Sequence, residues 1–444
     1  MNRNVAPDTQ FVNLESLPMV QTQKMDNGVP LYLIPVAGTD LVRVDFMFNG
    51  GAWVQDLPLQ AMLAFRLVKE GTASKSVQLI NEMLDFYGAS FSSAVYKTYA
   101  VISIVCLKKH LQPVLDIVQD VLCNPAFDPN SVQIALQQAY ANFMIKKDRV
   151  RAQAERIFYE TLFGPGHPMA SYEYAELFSQ LSPDTLRDYN KKCVNSANCR
   201  IFMTGGYDES SVGLLCGIFG IGTWGSNSNF TALSHIEFPA EPLAQYRLSG
   251  NDERLIVDYQ HNRVNFSMSQ PTVQSALYAG CVLPKVKGED RAYMILANML
   301  LGGFFGSRLM NNIREDKGYT YGINSALMAN PFFTVFCVQT ETANQHVDNV
   351  IREVKSEILR IINELPDEDE IDIVKKYYSG SVCRIYEANF SFTNQLIKKI
   401  GVGNEDADTV ATLRLMKQAT PQQICDVVKH YLSPNNVVWC VAGS

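Results

Sequence analysis

Apolar residues along the first two hundred positions change rhythm several times, and each change marks an element. Val29–Val36 and Leu41–Asn49 are short β-rich runs split by Gly38-Thr39-Asp40, which predicts two strands and a turn. Leu59–Lys69 switches to a helical period and stops at Gly71. Ser76–Tyr87 predicts a second helix ended by Gly88, and Tyr99–Leu107 another strand. Leu111–Leu122 and Ser131–Phe163 predict helices, open to breaks along their length. Strands followed by packed helices predict an α+β sandwich rather than a regular alternation of strand and helix.

The end of this pattern occurs twice. Ser182-Pro183-Asp184-Thr185-Leu186 opens a helix with a capping serine and a first-turn proline, then runs through Lys191 and Asn198 into Ile201-Phe202-Met203 and Gly205. Thr420-Pro421-Gln422-Gln423-Ile424 leads in the same way through Lys429 and Asn436 into Val437–Val441 and Gly443. Asp128-Pro129 pairs with Pro366-Asp367, and Ala61 and Gly71 pair with Ala292 and Gly302. Three correspondences in one order predict a duplicated module of about 200 residues, far longer than a solenoid repeat. The modules are expected at 1–228 and 229–444, joined through the polar, proline-containing stretch from Gly225 to Pro242.

Composition narrows the function classes. A net charge of −7 leaves no basic footprint, so nucleic acid is excluded as the main partner. No window approaches ~18 uninterrupted apolar residues, and the first 25 residues carry Asp8, Glu15 and no signal-length apolar run. The ten cysteines are scattered without a Cys-x-x-Cys pair and read as buried free thiols. The expectation is a cytoplasmic protein, or a periplasmic one if a signal segment was removed, with no membrane partner. No two of the six histidines stand at the i, i+4 spacing of a helical metal site.

The most informative segment is Leu300–Gly322: an apolar helix end, Gly302-Gly303, Ser307-Arg308-Leu309, a short helix carrying Arg314, then Gly318 and Tyr319-Thr320-Tyr321-Gly322. In order and spacing it resembles the second half of the pitrilysin/insulinase family of zinc peptidases, and the resemblance extends from about Val29 to Gly443. It implies two duplicated α/β-sandwich modules of the pitrilysin/mitochondrial processing peptidase type, facing across a cavity. It also implies that Arg314 and Tyr321 face the active-site chamber, where they would hold and polarise a scissile carbonyl. Arg308 reads as an interhelix partner, and His167 in Gly-His-Pro as structural.

Catalytic members carry His-x-x-Glu-His on a helix of the first module, two zinc ligands and the base, followed by Gly-Thr. Counting back from Gly71-Thr72 places these positions at Met62, Phe65 and Arg66. None can ligate zinc usefully or act as a base, and Arg66 sets a fixed positive charge there. The further glutamate ligand is missing too, since no Asp or Glu lies between Asp128 and Asp148. Met62 and Phe65 are expected to fill part of the vacated metal site. This chain is therefore expected to hold no metal and no cofactor, zinc being carried by a partner.

Two functions compete. The first is a non-catalytic subunit of a heterodimeric zinc endopeptidase, supplying Arg314 and Tyr321 in trans, with a homologous zinc-bearing subunit and a peptide as partners. The short Gly302–Gly306 loop favours the bacterial two-gene type. The second is an inactive homologue acting as a scaffold or peptide-binding protein. A homodimer in isolation stays open.

Overall fold

The computed structural model describes residues 10–225, 233, 235, 254–387 and 390–443. The expected join, Gly225 to Pro242 with its boundary at 228, lies outside the described residues apart from Gly225, Leu233 and His235.

Each half builds one six-stranded sheet. The first contains β1 (Gln21–Lys24), β2 (Pro30–Pro35), β3 (Leu41–Asn49), β4 (Ser90–Val95), β5 (Tyr99–Leu107) and β6 (Cys199–Gly205). The second contains β7 (Leu255–Asp258), β8 (Arg263–Ser267), β9 (Gln274–Pro284), β10 (Thr320–Ala329), β11 (Phe333–Ala343) and β12 (Val438–Gly443). The spatial orders are β1-β2-β6-β3-β5-β4 and β7-β8-β12-β9-β11-β10, one topology written twice. The parallel pair recurs as well, β2 with β6 and β8 with β12.

The first half adds helices α1 (Gln60–Leu67), α2 (Val77–Phe86), α3 (Leu111–Cys123), α4 (Pro129–Lys146), α5 (Val150–Phe163), α6 (Leu177–Gln180), α7 (Pro183–Cys193) and α8 (Glu209–Phe219). The second adds α9 (Gly288–Asn298), α10 (Val347–Asn363), α11 (Glu368–Glu387), α12 (Ser391–Gly401), α13 (Thr409–Gln418) and α14 (Pro421–Tyr431). The matched helices α7 and α14 begin alike. Ser182 and Thr420 each form a capping box, with Pro183 or Pro421 in the first turn.

Both sheets are covered on both faces, so their central strands are buried throughout rather than half exposed. Along β3, Val42, Val44, Phe46 and Phe48 enter the core formed with α1, α3 and α7, while Met47 joins a separate cluster on the opposite face. Along β9, Leu277, Ala279, Cys281 and Leu283 face α9, α10 and α14, and Ala276 and Tyr278 face the other way.

Those opposite faces are covered by exchange. The expected helix Ser131–Phe163 breaks at Lys147–Arg149, and its second half, α5, leaves its own module to pack on the second sheet. Ala154, Ile157, Phe158 and Leu162 there meet Val264, Tyr278, Val335 and Cys440. Reciprocally, Phe392, Ile397 and Ile400 of α12 pack on Ile34, Met47, Tyr99 and Phe202 of the first sheet. Hydroxyl contacts fix each exchange: Thr204 with Thr393 at 2.6 Å, and the Thr98 hydroxyl donating to the Gly401 carbonyl at 2.6 Å. All ten cysteines are free thiols. No described helix is long and apolar enough to cross a membrane.

Candidate active site

Helix α1 carries the three positions at which the metal motif would stand. Met62 lies on the outer face, 40% exposed. Arg66, one turn on, reaches across to α4, where its Nη2 donates to Gln138 Oε1 at 2.5 Å. Phe65 differs from the expectation. It is 2% exposed and packs edge-on against Phe48 and Tyr189, at ring-centroid distances of 5.9 and 6.4 Å. It belongs to the module core and fills no vacated pocket, because α1 turns the 65 position toward β3 and α7. A thioether, a buried phenyl ring and a guanidinium bound to an amide are not a donor set for zinc, which takes thiolate, imidazole or carboxylate. Among the described residues no group of three or more His, Cys, Asp or Glu is placed to hold a metal ion.

The second half of the candidate site is built around β10. The helix leading to it ends in a π-helical turn, Met299–Gly303, and a second such turn, Met310–Asp316, carries Arg314. Gly302 is required there: a Cβ at this position would lie 2.7 Å from the Ser325 amide nitrogen of β10. Arg308, 7% exposed, makes a two-pronged ion pair with Glu370 of α11, Nε and Nη2 donating at 2.8 and 2.7 Å. It ties the turn to α11, as an interhelix partner should. Arg314 lies with its guanidinium carbon 4.7 Å from the Phe305 ring centroid and pairs with Glu315 at 3.2 Å.

Tyr321 stands in a β-bulge. The β10–β11 register passes from Thr320↔Thr342 to Ile323↔Thr340, so Tyr321 and Gly322 together face Glu341. Bulges interrupt the ladder and re-aim side chains. Here threonine hydroxyls satisfy the interrupted backbone. Thr320 donates to the Glu341 carbonyl (2.7 Å), Thr340 to that of Gly322 (2.8 Å) and Thr342 to that of Tyr319 (2.6 Å), while Thr320 accepts from the Gly322 amide (3.1 Å). Held this way, Tyr321 is 91% exposed.

Tyr321 lines a pocket of about 320 Å3 together with Arg151, Tyr278, Gln339 and Glu341. Arg151 comes from the first turn of α5, and its Nη2 donates to Gln339 Oε1 at 3.3 Å. Burial raises the pKa of the Tyr278 phenol, with the Glu155 carboxylate adding to it, so Tyr278 stays protonated. Arg314 is not among the residues lining this pocket. The pocket thus unites the expected Tyr321 with an arginine that the sequence did not single out. No local signal marked it, since Arg151 falls inside the expected helix Ser131–Phe163.

His167 is buried, its Nδ1 accepting from the Met169 amide at 3.1 Å and its ring stacked on Phe163, which is a structural role. His430 is exposed.

These features define a two-module, peptidase-type chain whose first-module metal helix carries no zinc-binding side chain. Residues 61–161 match the family model described as insulinase (peptidase family M16), and residues 180–378 match the one described as the peptidase M16 inactive domain. Together they span more than half of the chain, which belongs to the M16 (insulinase) peptidase family. The chain is 24% identical over 313 residues to the uncharacterized zinc protease YmxG of Bacillus subtilis, covering 69% of this chain and 70% of that protein. It is 22% identical over 356 residues to an uncharacterized zinc protease of Rickettsia bellii, covering 78% and 79%. Among solved structures, a peptidase M16 inactive domain from Pseudomonas fluorescens superposes with a TM-score of 0.80 at 22% identity, covering 96% of this chain and 98% of that one. A protease from Helicobacter pylori gives 0.83 at 12% identity, covering 97% and 100%. At these identities the structural likeness establishes the fold.

Proposed function

We propose that this chain is the non-catalytic subunit of a two-chain zinc endopeptidase, presenting Tyr321 and Arg314 to a peptide held at a homologous partner's zinc site. The observation that carries the reading is Tyr321 itself. A tyrosine with almost no packing, set on a bulge whose backbone is satisfied by three threonines, supports a role toward a molecule outside the chain. Its hydroxyl would donate to the scissile carbonyl as negative charge develops, and the Arg314 guanidinium would hold the peptide through its permanent charge. The metal chemistry would come from the partner, since Met62, Phe65 and Arg66 do not fit a zinc ion. Substrate would join as a strand at a sheet edge, the mode open to β4 and β10, the equivalent outer strands of the two sheets.

The second reading, an inactive scaffold or peptide-binding homologue, draws on the Arg314–Glu315 pair, which resembles an ordinary surface ion pair. Co-expression with a family member that retains His-x-x-Glu-His separates the two. The proposal expects a heterodimer on gel filtration and peptide cleavage only in the mixture. A chain that never associates, or a partner equally active alone, favours the scaffold.

A further inference from the structure

Two cavities among the described residues are related by the internal duplication. One, of about 640 Å3, lies beside α4 and α5. The other, of about 530 Å3, lies beside α11 and α12. Phe143, Lys147, Arg156 and Glu160 line the first, and Val382, Tyr386, Gln395 and Lys399, each 239 positions later, line the second. Their chemistry has diverged. In the first, Arg156 and Glu160 neutralise each other at 2.8 Å. In the second, the carboxylate position holds Lys399 and the arginine position Gln395.

Arg291 and Lys398 add two more cations to that wall, and no carboxylate lines it among the described residues. The nearby Asp408 is committed to capping α13, its Oδ1 accepting from the Val410 and Ala411 amides at 2.8 and 3.2 Å. Lys399 donates to the Ala407 carbonyl at 2.9 Å. The Arg291 guanidinium has neither a hydrogen bond nor an ion pair with any described residue. Burial, followed by the charge of Arg291, pushes the Lys399 pKa down. The rest of the wall mixes apolar side chains, Met294, Leu327 and Val382 among them, with threonines, tyrosines and the side-chain amides of Gln395 and Asn298. Its volume lies within the ~300–1,000 Å3 of small-ligand sites.

We propose that this cavity binds the free C-terminal carboxylate of a peptide with apolar last residues. The carboxylate would sit against Arg291 and Lys398, and the final side chains against Met294, Leu327 and Val382. Amides that both donate and accept match a peptide backbone better than an alkyl chain. The site goes beyond the subunit reading and needs no partner, so the two stand or fall separately.

The test uses the full chain alone and fluorescence anisotropy. The probe is an N-terminally fluorescein-labelled hexapeptide ending in Val-Leu, prepared as the free acid and as the C-terminal amide. The acid should bind saturably and the amide at least tenfold more weakly. Arg291→Gln with Lys398→Gln should bring the acid down to the level of the amide, and Arg156→Gln in the sister cavity should change nothing. Equal binding of acid and amide by the unaltered chain would overturn the proposal, whatever the variants do. Tight binding of dodecanoate without binding of the peptide acid would also overturn it, in favour of a fatty carboxylate.

Discussion

Replacing Phe65 tests whether helix α1 has been given over from chemistry to packing. In a zinc peptidase this position faces the metal, whereas here it is 2% exposed between Phe48 and Tyr189, and the Tyr189 hydroxyl is itself fixed to the Gly51 carbonyl at 2.7 Å. Phe65→Ala removes a buried ring from a core that cannot close around the gap, at a cost of about 3–5 kcal/mol. For a melting unit of about 150–250 residues, 4 kcal/mol lowers Tm by about 8–16 °C, and by about half that if both modules melt together. Met62→Ala, at a position 40% exposed, should stay within about 1 kcal/mol. Phe65→Glu, which restores the family's base, should be at least as damaging as alanine, because it buries a carboxylate among aromatic rings. Urea and thermal unfolding of the three variants, side by side, measure all of this. A Phe65→Ala protein within about 1 kcal/mol of the parent, or a Met62→Ala protein as badly damaged, would refute the reasoning.

Arg308→Ala leaves Glu370, itself one-third exposed, without its partner and should cost about 1–3 kcal/mol in chemical unfolding. Gly401→Val should loosen the α12 clasp, because any Cβ there meets the Tyr99 ring; a fall in stability of about 1–3 kcal/mol, with increased protease cutting near α12, is the expected readout. Asp120 gives a pH signature. Burial would raise its pKa, but hydrogen bonds from Lys75, Thr72, Asn124 and Ser74 outweigh that and bring it from 3.8 to about 2. A depressed carboxylate stabilises fully above its unfolded value and loses the contribution as pH falls from near 3.8 through about 2. Asp120→Asn should therefore cost about 1 kcal/mol at pH 7, after discounting for solvent screening, and almost nothing at pH 2.

Much of this fold was legible because its signals are local. The capped helix starts at Ser182 and Thr420, and the apolar runs of β3 and β5, need only neighbouring residues to be read. Strand β1 was not legible, since Gln21–Lys24 is wholly exposed and polar and is held only by pairing with β2. Edge strand β4, with its serines, carries a similarly weak pattern. The run Ser131–Phe163 reads as helix open to breaks, and the charged stretch Lys146-Lys147-Asp148-Arg149 is where α4 gives way to α5. What changes at the break is the sheet it covers, which only the tertiary structure reveals. The same holds at the candidate site. The loss of the metal ligands could be read from four positions, but Phe65 turning inward, Arg66 meeting Gln138 and Arg151 reaching the Tyr321 pocket are contacts between distant segments without a local signature.

The central claim is tested most directly by the turnover of a complex between this chain and a zinc-bearing family member when Tyr321→Phe removes a single hydroxyl. The account predicts an unchanged elution volume and melting temperature with kcat lower by about 10²–10³-fold, the usual loss for one donor to a developing oxyanion. A complex that assembles normally and retains full turnover with Tyr321→Phe would contradict it.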